Sequence, residues 1–555
     1  MQAIKIDQFY GIQQQTDSAQ LPSSSAYDAR NMDTSDGNLS VAKGFTKVIS
    51  AIIPGSDTIL KLIDARLAAI KHYVIAANAI YTYKSAAWAT VYTFGTKLTS
   101  AAQIDYVQTQ IGGVDYLIIA TGESQMVKVN LSSDAAELFG TGALSYDSTV
   151  DSYNAGTLTV TLTATLSAEA QRHAPLDGIT INGTWLDVAS ASSSTVVLAD
   201  TPDVDPVATN TATIRGGGSS ASCDLCDMFV GRLFAAGDPT NPSRLYWSAV
   251  PGDGRTIEDW LAVEGSEDAS GGYVEIGDNS GDAISGITVL ASKILIHKKY
   301  SKYTLRGDRP SNFVIDRVDN YSEQCSNASV VVINDIPYWL TASGVYAFDD
   351  TGVQPINNGV RYLNTFVKTI YSTLNSRGAF SDNVMYFTCK VASASTYDDT
   401  IIVIDLSRSS DIGVNYMIRD GFQVADITVQ DGHVYMVSSD RYVCEFEVGT
   451  SYDGDPINAY WMTQKSDLGA ILLKKRMTTM MFRSTDGFIR VTANPLSNTK
   501  IVDKVLSDMD DGFAVLAFEM SPTRLVQAKI ENVAGGYFSI TGGVEMIYES
   551  EKTPR

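Results

Sequence analysis

Residues 231–248 read GRLFAAGDPTNPSRLYWS. A short apolar run is followed by a Gly-Asp-Pro-Thr-Asn-Pro segment and a second run ending in Tyr246 and Trp247. Gly, Pro, Asp and Asn are the residues that reverse a chain, so the stretch predicts strand, turn, strand. The same rhythm recurs with other letters. HYVIAANAIYTY, DYLIIATGESQMVKV, SKILIHKKYSKYTL, IPYWLTASGVYAF, NVMYFTCKVAS…IIVIDL and GHVYMVSSDRYVCEFEV align with it on Val74, Leu117, Leu233, Ile294, Tyr338, Met385 and Val434.

The gaps between these positions are 43, 116, 61, 44, 47 and 49 residues. Removing the 74 residues of 145–218 shortens the second gap to 42. A propeller blade of four short strands needs about 40–50 residues, and one blade cannot bury both of its faces without neighbours. The expected fold is all-β: a β-propeller of six or seven blades, with an inserted small β-domain and a C-terminal β unit. The expected divisions are an extended arm at 1–45, propeller at 46–144, the insert at 145–218, propeller at 219–454, and a C-terminal β domain or blade closure at 455–555.

The insert has its own composition. TLTVTLTATL (157–166) alternates Thr with apolar residues, and Asn182-Gly183 is a hairpin signal. Its acids are Asp147, Asp151, Glu169, Asp177, Asp187, Asp200, Asp203 and Asp205, against Arg172 and Arg215. It reads as a sandwich or barrel with a flexible exit at Gly216–Gly218, suited to be an interaction platform. Short helices are expected at RTIEDWLAV (255–263), with Thr256 as cap and Asp259 three residues on, and at GVRYLNTFVKTI (359–370). Lys474, Lys475 and Arg476 open the C-terminal unit, and ESEKTPR should fray.

The chain of 555 residues carries 63 acids and 41 bases, a net charge of −22. Bulk charge therefore opposes nucleic-acid binding but suits a passage through which DNA slides without sticking. The N-terminus lacks a basic region followed by an apolar core, so no secretory signal is expected. The longest apolar run, GITVLASKILIHKKY, is broken by Lys293 and His297, so no membrane span is expected. Cys223, Cys226, Cys325, Cys389 and Cys444 form no disulfide framework.

Candidate chemistry is thin. Cys223 and Cys226 make a CxxC with no second ligand pair, and read as small buried residues. His72, His173, His297 and His433 are dispersed, and HExxH, GxSxG and P-loop patterns are absent. The acidic segment 257–272 holds Glu258, Asp259, Glu264, Glu267 and Asp268, the place where a glycosidase pair would stand. HKKYSKYTLRGDRP (297–310) interleaves bases and aromatics and reads as a strand pair with solvated lysines. Arg306-Gly307-Asp308 reads as a turn, and the sequon Asn327-Ala328-Ser329 carries no weight without a secretory signal. No catalytic, cofactor or metal residue is assigned.

The N-terminal YDARNMDTSDGNLSVAKGFTKV followed by YVIAANAIYTY resembles the opening of bacteriophage neck and tail proteins. GRLFAAGDPTNPSRLYWSAVPGD, GDAISGITVLASKILIHKKYSKYTLRGD and KKRMTTMMFR resemble the tail hub or nozzle proteins of short-tailed phages, also called packaged-DNA stabilisation proteins. The resemblance covers about 25–500 without the insert. It implies a six-bladed-type propeller in a hexameric ring below the portal and head-to-tail adaptor. That ring would close or guide the DNA exit channel and present a platform for tail fibres or spikes. Genomic DNA would pass through without sequence-specific binding, and the N-terminal arm would clasp an adjacent subunit. The implied place of action is the virion tail, assembled in the host cytoplasm, and no enzyme activity is implied. The alternatives are a carbohydrate-binding or glycan-cleaving β-propeller working through 257–272, and a scaffold propeller outside viruses.

Overall fold

The structure, a computed structural model, describes residues 2–14, 21–67, 70–99, 103–122, 125–219, 222–252, 254–263, 266–277, 282–319, 323–349, 352–356, 364–408, 414–470, 472–485, 488–494, 500–505, 513–519 and 521–551. The chain is all-β with little helix.

Each aligned hairpin lies in its own four-stranded antiparallel unit, and each aligned position falls on that unit's second strand. The first sheet comprises Ile59–Arg66, Ile70–Ala76, Ala79–Lys84 and Ala87–Thr93. The second runs from Asp105–Ile111 to Ala136–Leu138, the third from Leu225–Phe229 to Gly272–Glu275, the fourth from Ile284–Leu290 to Val314–Asp319, and the fifth from Val331–Ile333 to Gly352–Pro355. The sixth and seventh share one long strand, Asn415–Gln430. Its first half is the outer strand of Gly378–Ser381, Val384–Cys389 and Asp398–Asp405. Beyond a bend at Gly421, where φ is +93°, its second half starts the seventh unit with His433–Ser438 and Val443–Phe446. The fourth strand there is Phe45–Lys47, from the other end of the chain.

These strands bury both faces, so they read as nearly continuous apolar runs. Leu60, Tyr73, Leu117 and Val129 pack between the first and second sheets. Ile118, Cys226 and Leu233 join the second to the third, and Phe234, Ile287 and Ile296 the third to the fourth. Leu295, Trp339 and Phe348 join the fourth to the fifth, and Leu62, Val74, Val437 and Val443 the seventh to the first. The largest cluster links the fifth, sixth and seventh sheets to the C-terminal sheets through Leu340, Phe387, Ile402, Met436, Trp461 and Met480. Tyr338 is half-buried, and its neighbour Trp339 fills the core instead.

Residues 140–219 form a seven-stranded sheet around the helix Ala168–Asp177. That helix was not expected. Ser167 caps it by accepting from the Ala170 N–H, and Ala170 and Ala174 pack on Val150, Val196 and Ile214. Gly178 ends it at φ +75°, where a Cβ would strike Trp185. Gly216–Gly218 are not a loose exit. They pair with Leu144, Ala143 and Gly142 as part of Thr211–Ser219.

Three further expectations are corrected. Residues 255–263 form turn and extended chain rather than helix, because Ile257 and Trp260 are drawn into the core while Glu258 and Asp259 are held by cations elsewhere. Within 359–370 the helix is only Asn364–Val367, residues 357–363 lying outside the described set. Residues 1–45 are not an extended arm, since their strands pair within their own chain. Gln2–Ile6 and Leu39–Val41 join Ser539–Glu551, and Ala26–Arg30 joins Tyr460–Thr463. Phe9 meets Trp461 edge-on at 5.1 Å, and the Ile12 N–H donates to the Tyr416 carbonyl at 2.8 Å.

The C-terminal unit is therefore two sheets built from both chain ends, one centred on Lys474–Thr485 and Ser539–Glu551, the other on Tyr460–Thr463 and Ala528–Asn532. Of the tail, Glu549 is held by Arg476 at 2.8 Å rather than frayed, and residues 552–555 lie outside the described set. Lys475 is buried and its ammonium donates to the carbonyls of Ala470, Leu473 and Arg524. Among the described residues, no helix is long and apolar enough to cross a membrane.

Candidate functional site

The loop between Trp247 and Gly272 carries most of the nominated carboxylates, and the chain beneath it explains its shape. Arg232, inside the apolar strand Arg232–Ala236, is fully buried. Its guanidinium donates to the carbonyls of Ser248 and Ser270 at 2.7 Å each, and to that of Asp268. One buried cation thus holds both ends of the loop. Asp268 accepts from the Ser311 N–H at 2.9 Å and hydroxyl at 2.8 Å, which holds its carboxyl below the usual range.

Glu258 accepts from the Lys128 ammonium at 2.7 Å. Burial pulls the Lys128 pKa down, and its hydrogen bonds to Glu258 and Glu137 more than reverse this. Asp259 accepts from the Thr256 N–H at 2.8 Å, and its other oxygen lies 3.6 Å from Arg172 Nη2 and 3.9 Å from His173 Nε2. Both basic residues are on the helix Ala168–Asp177. Arg172 also donates to the Gly254 carbonyl at 2.8 Å, Arg255 donates to the Leu176 carbonyl, and the Leu176 side chain covers Gly254. Trp260 meets Phe139 edge-on at 6.2 Å, just before the inserted strands begin at Gly140. The loop is a mount: it grips the helix of unit 140–219 with Gly254, Arg255 and Asp259, and the second sheet with Glu258 and Trp260. Glu258 and Asp259 are engaged by cations, and Glu264 lies outside the described residues.

A second place gathers residues from all seven sheets. A cavity of about 430 Å³ is lined by Lys61, Asp105, Asp227, Thr288, Asn327 and Thr428 among others, on the first strands of the sheets and the turn before the fifth. Asp105 on the second sheet accepts from the Cys226 N–H of the third at 3.2 Å and from Asn327 Nδ2 at 3.0 Å. Asp227 on the third accepts from the Val289 N–H of the fourth at 3.4 Å. Asp426 on the seventh accepts from the Leu62 N–H of the first at 2.6 Å and lies 3.1 Å from Arg377 Nε of the sixth. A first strand is a sheet edge with unpaired N–H groups, and at these three junctions a carboxylate from the sheet before it satisfies one of them. Burial, then the nearby Asp227 charge, pushes the Asp105 carboxyl up to about 7. Asp224 is also raised to about 7, by burial and then by Asp105.

Cys223 and Cys226 are buried, and burial pushes both thiols well above the usual range. His297 is buried against Cys325 Sγ (3.4 Å) and the edge of Trp339, and burial drives its pKa well below normal. Of the lysines expected to be solvated on this strand pair, Lys299 is exposed, and Lys298 and Lys302 are not. Lys298 Nζ donates to the Ile276 carbonyl at 2.8 Å, and Lys302 is buried over Trp339. Those two cations are out of reach of phosphate. His72 pairs with Asp64 at 2.5 Å and His433 with Glu445 at 2.6 Å. Arg306-Gly307-Asp308 is a turn, with the Asn312 side chain accepting from the Asp308 and Arg309 N–H groups. Asn327, set aside as a sequon, bridges Asp105 and the Ile287 N–H. Sequence reasoning missed Arg232, Lys128 and Asp426. Their shared signal is one charge inside an apolar strand run, as in GRLFAA, MVKVN and VADITV.

No protein-family profile matches the chain. No curated protein matches it. Solved structures similar to it include the computationally designed Ika8 protein (10% identity, TM-score 0.36, covering 72% of this chain and 99% of that one). Others are BamB from Moraxella catarrhalis (12%, TM-score 0.33, 71% and 97%) and the WD40 β-propeller domain of Doa1 (9%, TM-score 0.32, 73% and 97%). At these scores the likeness carries no argument about this chain.

Proposed function

We propose that the seven sheets form a seven-bladed β-propeller and that the protein is a structural subunit of a ring: the nozzle or hub of a short phage tail. Its propeller forms the ring wall, and unit 140–219 is a platform for fibres or spikes. The observation that carries the reading is the mount. Arg232, Lys128–Glu258 and Asp259–Arg172 hold the inserted unit rigidly on the second and third sheets, as a load-carrying projection requires and a catalytic cleft does not. Phe45–Lys47 closing the seventh sheet, and the seventh sheet packing on the first, support seven blades rather than six.

The central cavity holds on the order of ten water molecules at ~30 Å³ each. A duplex whose major groove alone is about 12 Å wide cannot enter it. DNA would therefore pass between copies, through a lumen formed by the ring, and the charge of −22 would keep phosphate from adhering. Portal and adaptor proteins would sit above this ring.

Sedimentation of the purified chain tests the reading. A closed ring of six has six times the 59.8 kDa of one copy, and a chain that stays monomeric at every concentration contradicts it. Replacing 140–219 by a short Gly-Ser linker should abolish fibre attachment. Release of sugar from a glycan panel, lost in Asp259→Asn, would instead favour the carbohydrate-cleaving alternative.

A further inference from the structure

Two exposed surfaces lie far apart on the chain. The first is the loop 199–210, ADTPDVDPVATN. Pro202 and Pro206 are buried, and the loop is tied down by the Val150 N–H to the Asn210 carbonyl (2.8 Å) and the Thr209 N–H to the Val150 carbonyl (2.9 Å). The prolines fix φ, so the loop is preorganised. It presents Val204, 82% exposed, and Val207, 59% exposed, among the exposed Asp200, Asp203 and Asp205, and it contains no base.

The second is the outer face of the C-terminal sheet at its open edge. Among the described residues, Phe513–Ala517, FAVLA, pairs with Lys474–Thr485 alone. Ala514 and Leu516 are buried, while Phe513 and Val515 point out at 57% and 60% exposure. The strand has no charge or proline of the kind that guards an edge. Across the face Phe513 stands opposite Arg483, Val515 opposite Met481, Met481 opposite Glu545, and Glu545 opposite Lys5. A cavity of about 310 Å³ opens among Lys5, Met481, Arg483 and Phe513. Arg483 is exposed and forms no ion pair among the described residues.

We infer that copies of the chain join head to tail, with the 199–210 loop of one seating Val204 and Val207 on Met481, Phe513 and Val515 of the next and its aspartates facing Arg483. The placement follows from the sheet order. The inserted strands leave after the outer strand of the second sheet, and the C-terminal sheets attach through residues 11–31 to the outer strand of the sixth. In an order of seven, the second and sixth stand three places apart one way and four the other, on opposite flanks. A contact between unlike patches on opposite flanks is heterologous, the kind that closes rings. This rests on the ring reading and names its interface.

The test uses the full chain. All five native cysteines are buried, so introduced surface thiols dominate oxidation. Val204→Cys and Val515→Cys, mixed and oxidised, should give a 204–515 disulfide dimer that neither variant gives alone. In parallel, Arg483→Glu should weaken self-association roughly tenfold, and Asp205→Arg in the same chain should restore it. Multimers without the 204–515 cross-link, or with no loss in Arg483→Glu, overturn this interface and leave the ring reading standing. Cross-links of 204 to 204 overturn head-to-tail order. Monomers throughout overturn both. Capture of a separate fibre protein by the loop in intact multimers, blocked by Val204→Asp, would likewise overturn the assignment of a second copy.

Discussion

The Asp426 carboxylate accepts the Leu62 N–H at 2.6 Å, joining the last of the seven sheets to the first. Lys61 Nζ is 3.7 Å from that same oxygen, and the other oxygen lies 3.1 Å from Arg377 Nε. Removing the charge leaves a buried guanidinium uncompensated. Asp426→Leu should therefore cost about 3–5 kcal/mol, while Asp426→Asn, which keeps an acceptor for Leu62, should cost less. Urea unfolding of the two variants measures this, and equal losses would argue against the pairing.

The closing strand makes a second prediction. Phe45 is buried, stacks on Tyr452 at 5.3 Å, and meets Phe422 at 5.4 Å. Phe45→Ala should destabilise by roughly 3–5 kcal/mol. Amide exchange should then speed up in Val443–Phe446, the strand it pairs with, before it does in the second sheet.

The raised Asp105 carboxyl predicts a pH dependence. Folded Asp105 keeps its proton up to about pH 7, whereas an ordinary aspartate releases it near 3.8. Between these values the folded chain binds more protons than the unfolded one, so this group's contribution falls as pH rises through that window and is level above it. Asp105→Asn should flatten that part of the stability profile, leaving the slope due to Asp224, which is also raised to about 7. Parallel wild-type and variant profiles in urea melts would refute the assignment.

The mount makes a fourth. Lys128→Met strands Glu258 in a site where both side chains are largely covered, and should cost about 3 kcal/mol. Arg232→Met frees both ends of the loop, so limited proteolysis should cut within 249–271 well before the wild type is cut there. Protection equal to wild type would mean the loop is held by something else.

The hairpin rhythm was legible because a strand that buries both faces must be apolar along its length, and a turn must carry Gly, Asn, Asp or Pro. That is why Val74, Leu117, Leu233, Ile294, Met385 and Val434 mark equivalent strands. The pairing of chain ends was not legible. Nothing local in FTK (45–47) says that it completes a sheet begun near residue 424, nor in AYDAR (26–30) that it will lie beside YWMT (460–463). The helix Ala168–Asp177 was hidden by Pro175 and a weak apolar pattern. Its readable signal was the Ser167 cap before a run free of β-branched residues. The acidic loop was read by composition as a cleft or solvated surface. Its role as a mount depends on Arg232, Lys128 and Arg172, which approach it from three other segments.

Electron cryo-microscopy of the purified chain distinguishes a ring of closed seven-sheet subunits from every other arrangement. The expected images are rings of copies in which each subunit shows seven sheets around a narrow axial cavity, the seventh packed on the first, with unit 140–219 projecting from one flank. Single particles with an open gap between the first and seventh sheets, or subunits that never assemble into a ring, would contradict that arrangement.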